Sequence, residues 1–174
     1  MLRMHGFTYR AAGSYAEAWA LYQSHAEAMY VAGGTDLLPN TKQGLFRPKV
    51  LIGLGGIAGY VRESASEVLL GAATKLQDLA DSPVVQATLW PLAQAAGLVA
   101  GPQIRNMGTL GGNVLLDTRC LYYNQTEAWR GALGYCLKAE GDWCHVIAGP
   151  KTCVATQSSD TVPVLLALGA RLRL

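Results

Sequence analysis

Apolar residues come in short runs over the first third of the chain. Each run ends in glycine or a polar cluster, and stretches of helical spacing separate them. Residues 7–9 predict a short strand. The segment SYAEAWALYQSH (14–25) predicts a helix, with Ser14 and Glu17 in the S-x-x-E arrangement that satisfies early backbone N–H groups. Ala16, Trp19, Ala20 and Gln23 would share its short apolar stripe. AMYVAGG (28–34) predicts a strand running into glycines, followed by a short helix near 36–43. PKVLIGLGG (48–56) predicts another buried strand. EVLLGAAT (67–74) predicts a further strand, after which Thr74 and Gln77 would cap a helix through Asp81. Residues 83–99 predict helix, with Pro91 opening a new one.

The pattern then loosens. GPQIRNMGTLGGN (101–113) holds four glycines and little periodicity, and 117–158 reads as irregular loop apart from a helix over TEAWRGALGYCLK (126–138). Order returns at 160. Asp160 or Thr161 can cap, Pro163 suits a first turn, VLLALG predicts helix, Gly169 stops it, and ARLRL (170–174) predicts a strand.

Composition bounds this picture. The chain has 174 residues, 51% hydrophobic and 15% charged, enough for one ordinary domain or two small ones around a packed core. A net charge of +2 without a basic cluster argues against nucleic acid. No apolar stretch approaches membrane-span length, and Met1 to Tyr9 lacks the apolar segment of a secretory leader, so a soluble, cytoplasmic protein is expected.

Three stretches carry candidate chemistry. VAGGTDLLP (31–39) is a strand, two glycines, and Thr35 and Asp36 at a helix start. Such a turn can aim successive N–H groups at a pyrophosphate, or it can be a tight turn with Thr35 or Asp36 as cap. GTLGGN (108–113) offers a second such loop, and a dinucleotide needs contacts along its whole length. Neither has the G-x-G-x-x-G spacing of a Rossmann turn. Cys120, Cys136, Cys144 and Cys153 are the only cysteines, separated by 15, 7 and 8 residues with no C-x-x-C pair. That spacing suits structural zinc poorly. A four-thiolate iron–sulfur cluster, zinc and unlinked thiols all stay open. His145 is expected behind the ligands of any such site or on the surface rather than as a ligand, and His5 and His25 at surface or satisfied positions rather than in catalysis. No Ser-His-Asp or Cys-His set has a persuasive order.

VAGGTDLLP together with GPQIRNMGTLGGN resembles the flavin-binding subunit of the molybdenum hydroxylases, the group that includes xanthine, aldehyde and carbon monoxide dehydrogenases. The resemblance implies an α+β flavoprotein fold of the vanillyl-alcohol oxidase or PCMH type, with two subdomains (1–58 and 59–174) clasping FAD. By it, Ala32, Gly33, Gly34, Thr35, Asp36 and Leu37 would form the first pyrophosphate loop, and Thr109, Leu110, Gly111, Gly112 and Asn113 the second. SSDTVP supplies the family's S-D-x-x-P pattern, in which Asp160 would contact cofactor hydroxyls. Asp160 follows Asn113 by 47 positions, far more than in ordinary relatives, and the excess is the cysteine segment 117–158. That segment is similar to the insertion in the flavin subunit of 4-hydroxybenzoyl-CoA reductase. The similarity implies a [4Fe-4S] cluster on Cys120, Cys136, Cys144 and Cys153. The chain would be an electron-transfer oxidoreductase subunit with no acid or base of its own acting on substrate. It would partner a molybdopterin catalytic subunit and a [2Fe-2S] subunit, in a dimer of heterotrimers served by a low-potential donor such as ferredoxin. Xanthine-, aldehyde- or CO-dehydrogenase-like flow to NAD or a quinone is the alternative, and a non-redox assembly fragment a further one. Family subunits continue past LGARLRL into a C-terminal domain that this sequence does not contain.

Overall fold

The computed structural model describes residues 2–173. The elements run β1 (Thr8–Ala11), α1 (Tyr15–Ser24), β2 (Ala28–Val31), α2 (Leu37–Lys42), β3 (Val50–Gly53), β4 (Val61–Glu63), β5 (Val68–Leu70) and α3 (Leu76–Asp81). They continue α4 (Pro83–Thr88), α5 (Trp90–Leu98), α6 (Pro102–Arg105), α7 (Leu110–Val114), β6 (Thr118–Arg119), α8 (Glu127–Ala132), β7 (Thr156–Gln157) and α9 (Val162–Ala167). Contacts divide the chain into two compact units. One comprises 7–35, 48–116 and 159–174; the other comprises 1–6, 36–47 and 117–158. These units interleave the expected subdomains 1–58 and 59–174 instead of following them, because the early segment 36–47 packs with the late segment 117–158.

The larger unit opens with a three-stranded parallel sheet in the order β1-β3-β2. Parallel neighbours need crossovers, and α1 supplies the first. The central strand β3 is buried along its whole length, with Ile52 fully enclosed. That is why VLIG reads as a continuous apolar run and not an alternating one. Ser14 caps α1 as predicted, accepting from the Glu17 N–H at 3.1 Å, while the Glu17 carboxylate accepts from the Gly13 N–H at 2.8 Å. The buried face of α1 differs from the expected stripe. Ala18 and Leu21 pack inward, whereas Trp19 is exposed and stacks on Tyr22, which stacks on Tyr30.

A second core joins α3, α4, α5 and α7 through Leu76, Leu79, Val85, Leu92, Ala96 and Leu110. Burying each leucine stabilises the fold by about 1.5–3 kcal/mol. Ser82 caps α4, and Pro91 stands in the first turn of α5, as the sequence indicates. Thr74 does not cap α3. Its buried hydroxyl is turned to Tyr60 instead, donating to the carbonyl and accepting from the N–H, both at 2.9 Å, and Lys75 stands at the N-cap position without a side-chain cap bond. Strand β4, which pairs antiparallel with β5, is too short and polar to have been predicted. Gly169 ends α9 in the left-handed region, at φ 67°. Residues 170–173 form no strand, since no described strand pairs with them, and Leu174 lies outside the described residues.

The smaller unit has little regular structure, and polar contacts hold it. The 126–138 helix shrinks to α8, because the chain turns at Gly134 and Tyr135, both at positive φ (78° and 63°), before a short 3-10 turn over 137–139. Arg130 is buried and substitutes for an apolar core. It donates to the Gln125 carbonyl, to the Gly44 carbonyl at 3.2 Å, and to the Glu127 carboxylate, with which it forms an ion pair. Segment 117–158 is pinned at its base by the β6–β7 ladder, pairing Thr118 with Gln157 and Arg119 with Thr156.

Candidate functional site: a glycine loop and a four-thiol cavity

Strand β2 delivers Ala32, Gly33, Gly34 and Thr35 to its C-terminal end, all half-buried. Gly34 takes φ 71°, a conformation that favours glycine. Gly33 is required for a different reason. A Cβ there would lie 2.0 Å from the Met107 carbonyl oxygen, so the two glycine stretches of the sequence are packed backbone to backbone. The N–H groups of Gly33, Gly34 and Thr35 donate to no acceptor among the described residues. Unpaired N–H groups on a glycine turn are the donor set a diphosphate requires.

The second loop is organised otherwise. Thr109 caps α7, its hydroxyl accepting from the Gly112 N–H at 3.2 Å. Leu110 N–H donates to the Thr74 carbonyl and Gly111 N–H to the Ala72 carbonyl, each at 2.8 Å. The Leu110 side chain belongs to the core. The N–H groups of 110–113 therefore serve the protein itself. Buried Asn113 accepts at Oδ1 from Ser159 Oγ (2.8 Å), Thr161 Oγ1 (2.8 Å) and Thr161 N–H (3.1 Å). Its Nδ2 donates to Asp160 Oδ2 at 2.9 Å. This holds the exposed Asp160 against the loop that precedes it by 47 positions. The sequence-predicted residues 32–35, 109–113 and 160 thus belong to one compact unit. Asp36 and Leu37 open α2 in the other, and the Asp36 side chain makes no cap bond there. It pairs with Arg119 and accepts from Asn40 Nδ2 at 3.0 Å.

All four cysteines line a single cavity of about 260 Å³ in the smaller unit, with Arg119, Tyr122, Tyr123, Lys138 and His145 among its other walls. All four are free thiols. Cys136 is buried, Cys120 and Cys144 are half-buried, and Cys153 is exposed. No three His, Cys, Asp or Glu side chains among the described residues lie close enough together to hold a single metal ion. Local structure fixes Cys120 and Cys136. Asn124 Oδ1 accepts from the Cys120 N–H at 3.1 Å, and the Cys136 carbonyl accepts from Ala139 and Gly141 N–H groups at 2.7 and 2.9 Å. Non-glycine residues at positive φ flank Cys136 closely, Tyr135 at 63° and Glu140 at 64°.

Charge around the cavity is arranged in pairs. Lys138 donates to Asp117 Oδ2 at 2.6 Å and lies 4.7 Å above the centre of the Tyr123 ring. Burial works to raise the Asp117 carboxyl, but Lys138 and the Thr118 N–H hold it below the ordinary range. Burial, with Asp117 behind it, pushes the Tyr123 hydroxyl up. His145 accompanies the four thiols. It forms part of the cavity wall, with Nε2 2.6 Å from the Tyr135 carbonyl and its ring against Tyr122. Arg130, Lys138 and the Asn113 hub were not evident from the sequence, because pairing across 20 to 87 positions leaves no periodic signal.

The family described as "FAD binding domain in molybdopterin dehydrogenase" matches residues 5–174. The carbon monoxide dehydrogenase medium chain of Hydrogenophaga pseudoflava is 45% identical over 111 residues, covering 62% of this chain and 39% of its own length. The aldehyde oxidoreductase FAD-binding subunit of Escherichia coli is 33% identical over 174 residues, covering 96% of this chain and 55% of its own. Among solved structures, carbon monoxide dehydrogenase from Hydrogenophaga pseudoflava superposes with a TM-score of 0.62 at 43% identity, over 64% of this chain and 40% of that one. The chain spans roughly two fifths to just over half the length of these relatives. With a family match over nearly its whole length and its glycine loops in one unit, the chain belongs to the FAD-binding domain family of the molybdopterin dehydrogenases.

Proposed function

We propose that this chain is the FAD-binding part of an electron-transfer subunit in a molybdenum hydroxylase-type oxidoreductase, and that segment 117–158 carries a [4Fe-4S] cluster on Cys120, Cys136, Cys144 and Cys153. The observation that carries the second half is the single cavity lined by four free thiols. Four thiolates are the ligand set that such a cluster requires, and all four cysteines face the same cavity. For the flavin, the support is the set of unpaired N–H groups at Gly33, Gly34 and Thr35, with Asp160 held outward by Asn113 to accept from hydroxyls. When bound, FAD and the cluster would supply one- and two-electron redox exchange. The protein's own contribution is to bind, space and electrostatically bias them, and no side chain here need act on substrate.

On this reading the partners are a molybdopterin catalytic subunit and a [2Fe-2S] subunit, assembled as a dimer of heterotrimers. Two substrate readings follow. The likeness of the cysteine segment to that of 4-hydroxybenzoyl-CoA reductase favours reductive dehydroxylation of an aromatic acyl-CoA on the partner, with a ferredoxin-like donor. The aldehyde oxidoreductase subunit favours aldehyde oxidation, because a match over 96% of this chain must run through most of 117–158, whereas the carbon monoxide dehydrogenase match covers only 62%. Anaerobic purification followed by assay of iron, acid-labile sulfide and flavin tests the common core. About four irons with sulfide and one FAD are expected. One zinc without sulfide would refute the cluster, and absence of flavin from folded protein would favour the non-redox assembly role. Comparing aromatic acyl-CoA with aldehyde turnover in the assembled complex separates the substrate readings.

A further inference from the structure

We propose that the Ala155 backbone N–H is a tuning donor to the Cys153 sulfur, raising the reduction potential of a cluster held in the four-thiol cavity. The inference rests on the cluster reading above. Cys153 Sγ accepts from the Ala155 N–H at 3.4 Å. Among the described residues, none of the other three cysteine sulfurs accepts such a bond. Cys153 is also the one exposed thiol of the four. It lines the cavity together with Val154, Ala155 and Thr156, so donor and acceptor belong to the same wall.

The fold holds this donor in place. Ala155 directly precedes β7, whose ladder to β6 pairs Thr156 with Arg119 and Gln157 with Thr118. Cys120 directly follows Arg119 on the opposite strand. One ladder therefore anchors the chain that arrives from Cys153 and the chain that departs to Cys120, two of the four thiols. A protonated thiol accepts weakly, whereas a charged acceptor strengthens a hydrogen bond, so this bond tightens when Cys153 ligates as thiolate. Reduction adds one negative charge to a cluster and its ligand sulfurs. The positive end of an N–H dipole stabilises that charge, as does the water that reaches an exposed sulfur. Both favour the reduced form, and the amide does so from a fixed position.

The test is a redox titration of the cluster, followed by electron paramagnetic resonance, in the assembled complex. Native protein, Ala155→Pro and Ala155→Gly are compared, since proline removes the N–H and glycine keeps it. Ala155→Pro is expected to weaken the equilibrium for reduction about tenfold, a drop of about 59 mV for a one-electron couple. Ala155→Gly should titrate with native protein. Loosening of the segment would admit water and move the potential up, so a fall distinguishes loss of the donor from general damage. An unchanged or raised potential in Ala155→Pro, or an equal fall in Ala155→Gly, overturns the proposal. If Ala155→Pro does not retain iron, isotopic labelling of alanine nitrogen decides. The reduced native cluster should then show a hyperfine coupling to the label that Ala155→Gly loses, and the absence of that difference overturns the proposal equally. Native protein without iron and sulfide refutes the cluster reading itself, a separate outcome seen before any titration begins.

Discussion

Asn113 shows how much one buried amide can organise. Its side chain makes four hydrogen bonds, to Ser159, Asp160 and twice to Thr161, in a setting where water cannot replace them. Asn113→Ala should destabilise the protein by about 3 kcal/mol, since each orphaned buried partner costs about 1–3 kcal/mol. Urea denaturation would measure it, and flavin affinity should fall as Asp160 loses its tether. Gly33→Ala is the complementary case. Its Cβ would overlap the Met107 carbonyl at 2.0 Å, so backbone must move. At least a tenfold weaker FAD dissociation constant is expected by fluorescence titration, and unchanged affinity would remove Gly33 from the site. At this scale the sequence was partly legible. The glycines advertise themselves by type, and the family resemblance supplies Asn113 and Asp160. That Asn113 accepts from Ser159 and Thr161 across 46 and 48 positions could be seen only in the fold.

The elements themselves were mostly legible where apolar spacing was strong. The strands β1, β2, β3 and β5, and the helices α1, α4, α5 and α9, lie close to where the pattern puts them. Leu92 is fully buried in the α3–α5 core, and Leu92→Ala should cost about 2–5 kcal/mol in a denaturation experiment. The misreadings have physical causes. Trp19 drew the apolar stripe of α1 to the wrong face, because a ring that stacks on Tyr22 at the surface looks like a core residue in sequence. The segment 126–138 loses its second half because two left-handed residues precede Cys136. Such a polar unit should also respond to acid. The Tyr135 hydroxyl first, and Arg130 against the opposing effect of burial, hold the Glu127 carboxyl below its ordinary value. An unfolded chain therefore takes up that proton at a higher pH than the folded one. The stability Glu127 contributes is complete above the ordinary carboxylate value of about 4.3 and is lost as pH falls through the lower folded value. Glu127→Gln should flatten this loss, read as the urea midpoint between neutral and acidic pH by the fluorescence of Trp129 and Trp143.

For the whole molecule, the contacts draw a boundary the sequence showed only as a change of texture. Segment 117–158 separates as part of one compact unit, while 109–113 and 159–163 stay together in the other. Two sites in two units should fail independently. Cys120→Ser is expected to lose iron and sulfide yet keep most FAD binding. Gly111→Val, whose Cβ would already lie 3.0 Å from Ala72, is expected to do the reverse. Equal loss of both in folded protein would refute the separation. The β6–β7 ladder and the Asn113 hub lie back to back along the chain, on either side of the points where 117–158 leaves and rejoins it. The hub draws on no residue of 117–158, so Asp160 stays tethered to Asn113 whatever the length of that segment. Evolution can lengthen, shorten or discard such a loop without renegotiating the flavin site. Replacing 117–158 with a short flexible turn should therefore leave a folded, iron-free protein that still binds FAD.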